Sequence, residues 1–102
     1  MGKMLYIFWE FQVKPGKLPE FERRYGNKGD WAVLFRRSPG YKGTVLGRST
    51  GASGHYLVTD MWDDAAAFAK FKKDFHDAYI ELDRICESLT IDEKHIGDFE
   101  VI

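Results

Sequence analysis

The chain has 102 residues, enough for one hydrophobic core and too few to divide into two, so residues 1–102 read as a single domain. Fifteen basic against sixteen acidic residues leave a formal charge of −1, which gives no electrostatic footprint for nucleic acid or an anionic membrane. Aromatic residues reach 16%, more than so small a core requires, and that surplus points to an interface or a ligand pocket. No apolar run approaches the ~20 residues of a membrane span. The opening Met-Gly-Lys-Met lacks the basic and apolar regions of a signal peptide, and the single cysteine has no partner for an internal disulfide. A cytoplasmic location is expected.

Met4 to Val13 has the period of a strand. Its odd positions Leu5, Ile7, Trp9, Phe11 and Val13 are all apolar, which marks one buried face. The even positions begin Met4, Tyr6 and Phe8, so much of the second face is apolar too. A sheet with helices on one side only would show a polar second face, and this strand has two faces to cover.

Lys14, Pro15 and Gly16 end that strand, and Pro19 suits the first turn of a helix carrying Leu18, Phe21 and Tyr25 inward. After Gly26 and Asn27, Asp30 is placed to cap a short helix with Trp31, Leu34 and Phe35 inward, stopped by Pro39 and Gly40. Tyr41 to Arg48 and His55 to Trp62 read as strands of a hairpin, joined by the turn-forming residues Ser49 to Gly54. Asp63 or Asp64 caps the next helix, whose inward stripe is Phe68, Phe71 and Phe75. Asp77 to Leu89 carries Ala78, Tyr79, Leu82, Ile85, Cys86 and Leu89 in a second amphipathic pattern. His95 to Ile102 is the last strand, with Phe99 and Val101 expected on one face and Ile96 and Ile102 on the other. The order β-α-β-β-α-β is that of an α+β ferredoxin-like fold, a four-stranded antiparallel sheet with its helices on one side.

Three local features carry a resemblance. They are the doubly apolar first strand, the run Pro39-Gly40-Tyr41-Lys42-Gly43 between helix and strand, and the run Met61-Trp62-Asp63-Asp64-Ala65-Ala66-Ala67-Phe68 between strand and helix. In this order and spacing the chain resembles the antibiotic biosynthesis monooxygenase (ABM) superfamily of dimeric α/β barrels. The resemblance implies a homodimer packed sheet on sheet, with Tyr6 and Phe8 at the dimer interface. It also implies a pocket between sheet and helices for a small apolar or aromatic molecule, walled by Trp9, Trp62, Phe68 and Phe71.

Members of that superfamily include haem-degrading enzymes and cofactor-independent oxygenases of aromatic polyketides, so fold alone does not set the chemistry. The haem-degrading branch uses an Asn, a Trp and a His, at positions that fall here on Trp9, on Phe71 and near Glu81. All three depart from the pattern, which argues against haem degradation; His76 remains the nearest imidazole for a shifted iron ligand. The oxygenase branch has a Trp at the end of the third strand, matched by Trp62. Its polar Asn is replaced by Val58, and its aromatic six residues after the Trp survives as Phe68.

Among the residues themselves, His76 can titrate near neutral pH and is the candidate general base, with helix capping or exposure the alternative. Trp62 either lines the pocket or packs the strand–helix corner. Cys86 lies on an apolar stripe and reads as a buried thiol. Asp60, Asp63 and Asp64 read as a strand end and a helix cap, and no spacing matches a metal site. Two functions stay open, and neither needs a bound cofactor. One is an oxygenase acting on an aromatic or quinone-like molecule; the other is a non-catalytic binding or accessory protein holding an apolar one.

Overall fold

The computed structural model describes residues 3–102. The first strand, β1 (Leu5–Val13), sits inside the sheet, as its two apolar faces require. It pairs antiparallel with β3 (His55–Trp62) on one side and β4 (Thr90–Glu100) on the other, and β2 (Tyr41–Arg48) completes the order β2-β3-β1-β4. Leu5, Ile7, Phe11 and Val13 are buried beneath the helices, whereas Tyr6, Phe8, Glu10 and Gln12 are half-buried on the outer face. The alternation therefore assigns the two faces as the sequence predicts. The fold is the expected α+β ferredoxin-like one.

The helices cover one face. In α1 (Leu18–Tyr25) the inward Phe21 and Tyr25 rings stack at 4.3 Å, and Phe21 meets Phe11 of β1 at 5.3 Å. The next helix, α2 (Asp30–Phe35), places Trp31, Leu34 and Phe35 inward as expected. Its cap differs. Gly29 is the capping residue and Asp30 the first helical one, because the Asp30 carboxylate is drawn to the Arg24 guanidinium of α1. The chain then enters β2 through Gly40, where a Cβ would stand only 2.5 Å from the Cβ of Ala67; a larger residue there would push the strand off the helix above it.

Asp64 caps α3 (Ala65–Asp74), its carboxylate accepting from the Ala67 amide at 2.8 Å. Asp64→Ala is expected to lower stability by about 1 kcal/mol, read as a lower urea midpoint, while Asp64→Asn retains most of the cap. The helix breaks at Phe75, which leaves the helical region at φ −120°, and α4 (His76–Cys86) follows at a new angle. Phe75 packs against the core at this corner.

The last strand departs from the sequence reading in two ways. It begins at Thr90, five residues before His95, because Ile91 to Lys94 are exposed on an edge strand and carry no alternating pattern. Its register also shifts between Gly97, opposite Phe8, and His95, opposite Trp9, so Ile96 is bulged. The bulge turns Ile96 to the outer face, beside Phe99, rather than to the opposite one. Ile102 lies past the strand and is exposed. Tyr6, Phe8, Leu57, Ile96, Phe99 and Val101 together form a continuous apolar surface on the side of the sheet without helices.

Candidate functional site

Where the sheet faces the helices, a cavity of about 50 Å³ remains. Trp9 and Phe11 of β1 and Val58 and Asp60 of β3 form its floor with Thr44 of β2; Tyr25, Trp31, Phe35 and Tyr79 close it from α1, α2 and α4. Trp9 and Tyr79 are its partly exposed members, so the mouth lies on their side.

Asp60 is the one ionisable carboxyl in this lining. It stands on β3 in the inward set Tyr56, Val58, Asp60 and Trp62, between Ile7 of β1 and Thr44 of β2, and is 8% exposed. A carboxylate held among aromatic rings loses hydration that its neighbours only partly replace, and burial raises its pKa to about 6. One hydrogen bond opposes that rise: the Thr44 hydroxyl donates to Asp60 Oδ1 at 2.7 Å. Thr44 Oγ1 is also 2.6 Å from the Tyr41 hydroxyl. With the Thr44 proton committed to Asp60, Tyr41 is the donor in that second contact.

The phenols around the cavity are held protonated. Burial pushes Tyr79 up to about 12 and raises Tyr25 further. Trp31 Nε1 lies beside the Tyr25 hydroxyl and the Cys86 thiol, yet among the described residues no partner meets hydrogen-bond geometry with it. Burial raises the pKa of Cys86 itself, which fits the expected buried thiol. No three His, Cys, Asp or Glu side chains cluster as metal ligands among the described residues, and none of their helices is long and apolar enough to cross a membrane.

Of the residues singled out in sequence, Trp9 lines this cavity. Trp62 is fully buried at the strand–helix corner, where its ring meets Phe35, Tyr41, Phe68 and Phe71 at 5.1–5.4 Å. Phe71 is 1% exposed and backs Phe35 from behind, and Phe68 is half-buried with the Lys72 ammonium 5.4 Å from its ring. None of these three reaches the cavity lining. His76 is placed elsewhere: it opens α4 on the surface, its side chain 69% exposed and its Nδ1 3.3 Å from the Asp77 carboxylate. The inner side of that corner is taken by Phe75, and the imidazole is not brought to Trp9 or Asp60.

The residues that sequence reasoning missed are Asp60, Thr44 and Trp31. A signal for Asp60 was present in the parity of β3, where it falls between Val58 and Trp62 on the buried face. Thr44 gave none, because β2 does not alternate clearly.

The chain matches the family model of the antibiotic biosynthesis monooxygenases over residues 4–79. Among solved structures it is similar to SnoaB, a cofactor-independent oxygenase from Streptomyces nogalater, with TM-score 0.81 and 21% identity over 98% of this chain and 94% of that one. It is also similar to PA3566 from Pseudomonas aeruginosa, with TM-score 0.71 and 19% identity over 100% and 97% of the two chains. A Bordetella bronchiseptica protein with a provisional antibiotic biosynthesis monooxygenase name gives TM-score 0.78 and 19% identity, covering 98% of each chain. No curated protein sequence gives a significant match. At these identities the structural likeness establishes the fold, while the family match covers most of the length. The chain belongs to the antibiotic biosynthesis monooxygenase family.

Proposed function

We propose that this protein is a monooxygenase that works without metal or flavin on a small hydroxy-aromatic or quinone-forming substrate, with Asp60 as its acid–base group. The observation that carries the reading is a buried carboxylate with a pKa near 6, set in a cavity otherwise walled by aromatic rings and aliphatic side chains. A base poised close to neutrality suits proton transfer from a phenolic hydroxyl. A planar ring needs more room than the cavity of about 50 Å³ provides, so it enters by displacing Trp9 and Tyr79 at the mouth; the aromatic walls then orient it and exclude water from the anion that forms.

The chemistry balances around that one group. Asp60 takes the hydroxyl proton, and the aryloxide transfers electrons to dioxygen, forming a C–O bond at the ring carbon para to it. Protonated Asp60 gives its proton to the distal peroxide oxygen. The restored carboxylate removes the ring hydrogen from that carbon as the O–O bond breaks, and the departing hydroxide takes the proton to leave as water. The products are a quinone and one water, and Asp60 ends the cycle ionised. Trp9 serves as a ring wall at the mouth, while Trp62 and Phe71 hold Phe35 in place.

The relative from Streptomyces nogalater, described as a cofactor-independent oxygenase, supports this class of reaction. The same reading includes a homodimer in the cytoplasm, joined through the apolar outer face of the sheet. Mixing the protein anaerobically with a panel of anthrones and of phenols and naphthols that carry hydrogen at the para carbon, then admitting air, is expected to give enzyme-dependent oxygen uptake with at least one of them. Tight binding across the panel with no uptake would reverse the conclusion in favour of a binding protein.

A further inference from the structure

We infer that Thr44 and Tyr41 are the positioning pair for Asp60, fixing both the aim of its carboxylate and the pH at which it ionises. The inference rests on the reading of Asp60 as the acid–base group, and its geometry is independent of any substrate. Thr44 sits across from Asp60 in the β2–β3 register, so the pair is fixed by backbone pairing and not by side-chain chance. Both residues are more than nine-tenths buried, at 7% and 8% exposure. A threonine hydroxyl has one proton and accepts readily; alone, it would rotate between partners. Tyr41 removes that freedom by donating to Thr44 Oγ1 at 2.6 Å, which leaves the single Thr44 proton for Asp60 at 2.7 Å. One carboxylate oxygen is thereby tied to the strand.

The surroundings offer Asp60 little else. Ile7 of β1 is its cross-strand neighbour, and the cavity it lines is closed by Tyr25 from α1, Trp31 and Phe35 from α2 and Tyr79 from α4, while the Tyr41 phenol of β2 lies beyond Thr44. The titratable groups among them are the three phenols, all held protonated, and no Lys, Arg or His lines the cavity. Arg36 acts on Tyr41, at the outer end of the chain. Thr44 is thus the side-chain donor that opposes the effect of burial on Asp60. Donation to the ionised form favours it, so loss of the hydroxyl makes Asp60 harder to ionise.

The test is a carbon-detected NMR titration of the Asp60 carboxyl in the full-length protein, without ligand. The unmodified protein is expected to titrate near 6. Thr44→Val, equal in shape but without the hydroxyl, is expected to raise the midpoint by about 1 pH unit, a tenfold gain in proton affinity. Thr44→Ser keeps the donor and is expected to leave it in place. Tyr41→Phe frees the Thr44 rotor and is expected to raise proton affinity by about threefold. In an activity assay the acidic limb of the pH profile moves with each midpoint. An unchanged midpoint in Thr44→Val, or an equal rise in Thr44→Val and Thr44→Ser, would overturn the assignment. Because the titration uses no substrate, shifted midpoints in a protein that consumes no oxygen uphold the positioning pair and reject only the oxygenase reading.

Discussion

Asp60→Asn is expected to give a protein that is more stable at neutral pH and has lost its activity. The folded chain holds the Asp60 proton at about 6 against an ordinary 3.8, so it binds that proton more tightly than the unfolded chain does. The stabilisation this gives is complete below about pH 4 and is lost as pH rises through about 6. At pH 7 the buried charge has cost about 3 kcal/mol relative to the acid form. An amide carries no charge, and its carbonyl still accepts from Thr44, while its NH₂ group finds no evident acceptor and returns part of the gain. The net expectation is about 1–2 kcal/mol of added stability at pH 7.5, with the difference from the unmodified protein vanishing at about pH 5 and reversing below it, where only the cost of the unpaired amide remains. Turnover should fall by about 10²–10⁴-fold, the range associated with a lost general base. Urea unfolding at several pH values and the oxygen-uptake assay measure the two halves. Full turnover in Asp60→Asn would remove Asp60 from the mechanism, and an unchanged pH dependence of stability would show that its carboxyl is not buried as described.

The second large effect concerns the outer face. Phe8 lies at the centre of the apolar surface, its ring 5.4 Å from that of Phe99. Phe99 is 54% exposed and Leu57 43%, a pattern monomers avoid. The unmodified chain is expected to elute at about twice 11.8 kDa. Phe8→Glu would bury one carboxylate from each protomer without a counter-charge, and is expected to weaken association by about 10³-fold or more. Light scattering at micromolar concentration should then report the monomer. Because Phe8 points away from the helices, the Asp60 titration should stay where it was. A monomeric unmodified protein, or a dimeric Phe8→Glu, would place the contact elsewhere.

Where local chemistry alone decides the outcome, the sequence was legible. Phe21, Tyr25, Trp31, Phe35 and Phe71 are large, apolar and correctly spaced, and nothing competes with their burial. The two faces of β1 were readable for the same reason, since every odd position is apolar. The errors occur where a distant part of the chain intervenes. Asp30 had the chemistry of a cap, and Arg24 drew its carboxylate aside. The alternation of β4 was read straight through Ile96 because a bulge has no period of its own and is set by pairing with β1. The site was the least legible part. His76 is an imidazole that the fold leaves on the surface, whereas the Asp60 carboxyl is raised to about 6 only when Trp31, Phe35 and Tyr79 close over it. That closure brings together three elements, β3, α2 and α4, and no window along the chain contains it.

The alternation of β1 also bears on how such a protein can change. Trp9 and Phe8 are adjacent in sequence and face opposite sides of the sheet. Substitutions at odd positions can therefore reshape the cavity for a new ligand while the even positions keep the contact face intact, so the two properties drift separately. Insertions lack that freedom. A single residue added between Leu5 and Trp9 would exchange the faces of one segment of the strand against the other, damaging cavity and contact surface at once. Length in this strand is thus under far tighter constraint than composition, and related chains should vary in side chains there long before they vary in count.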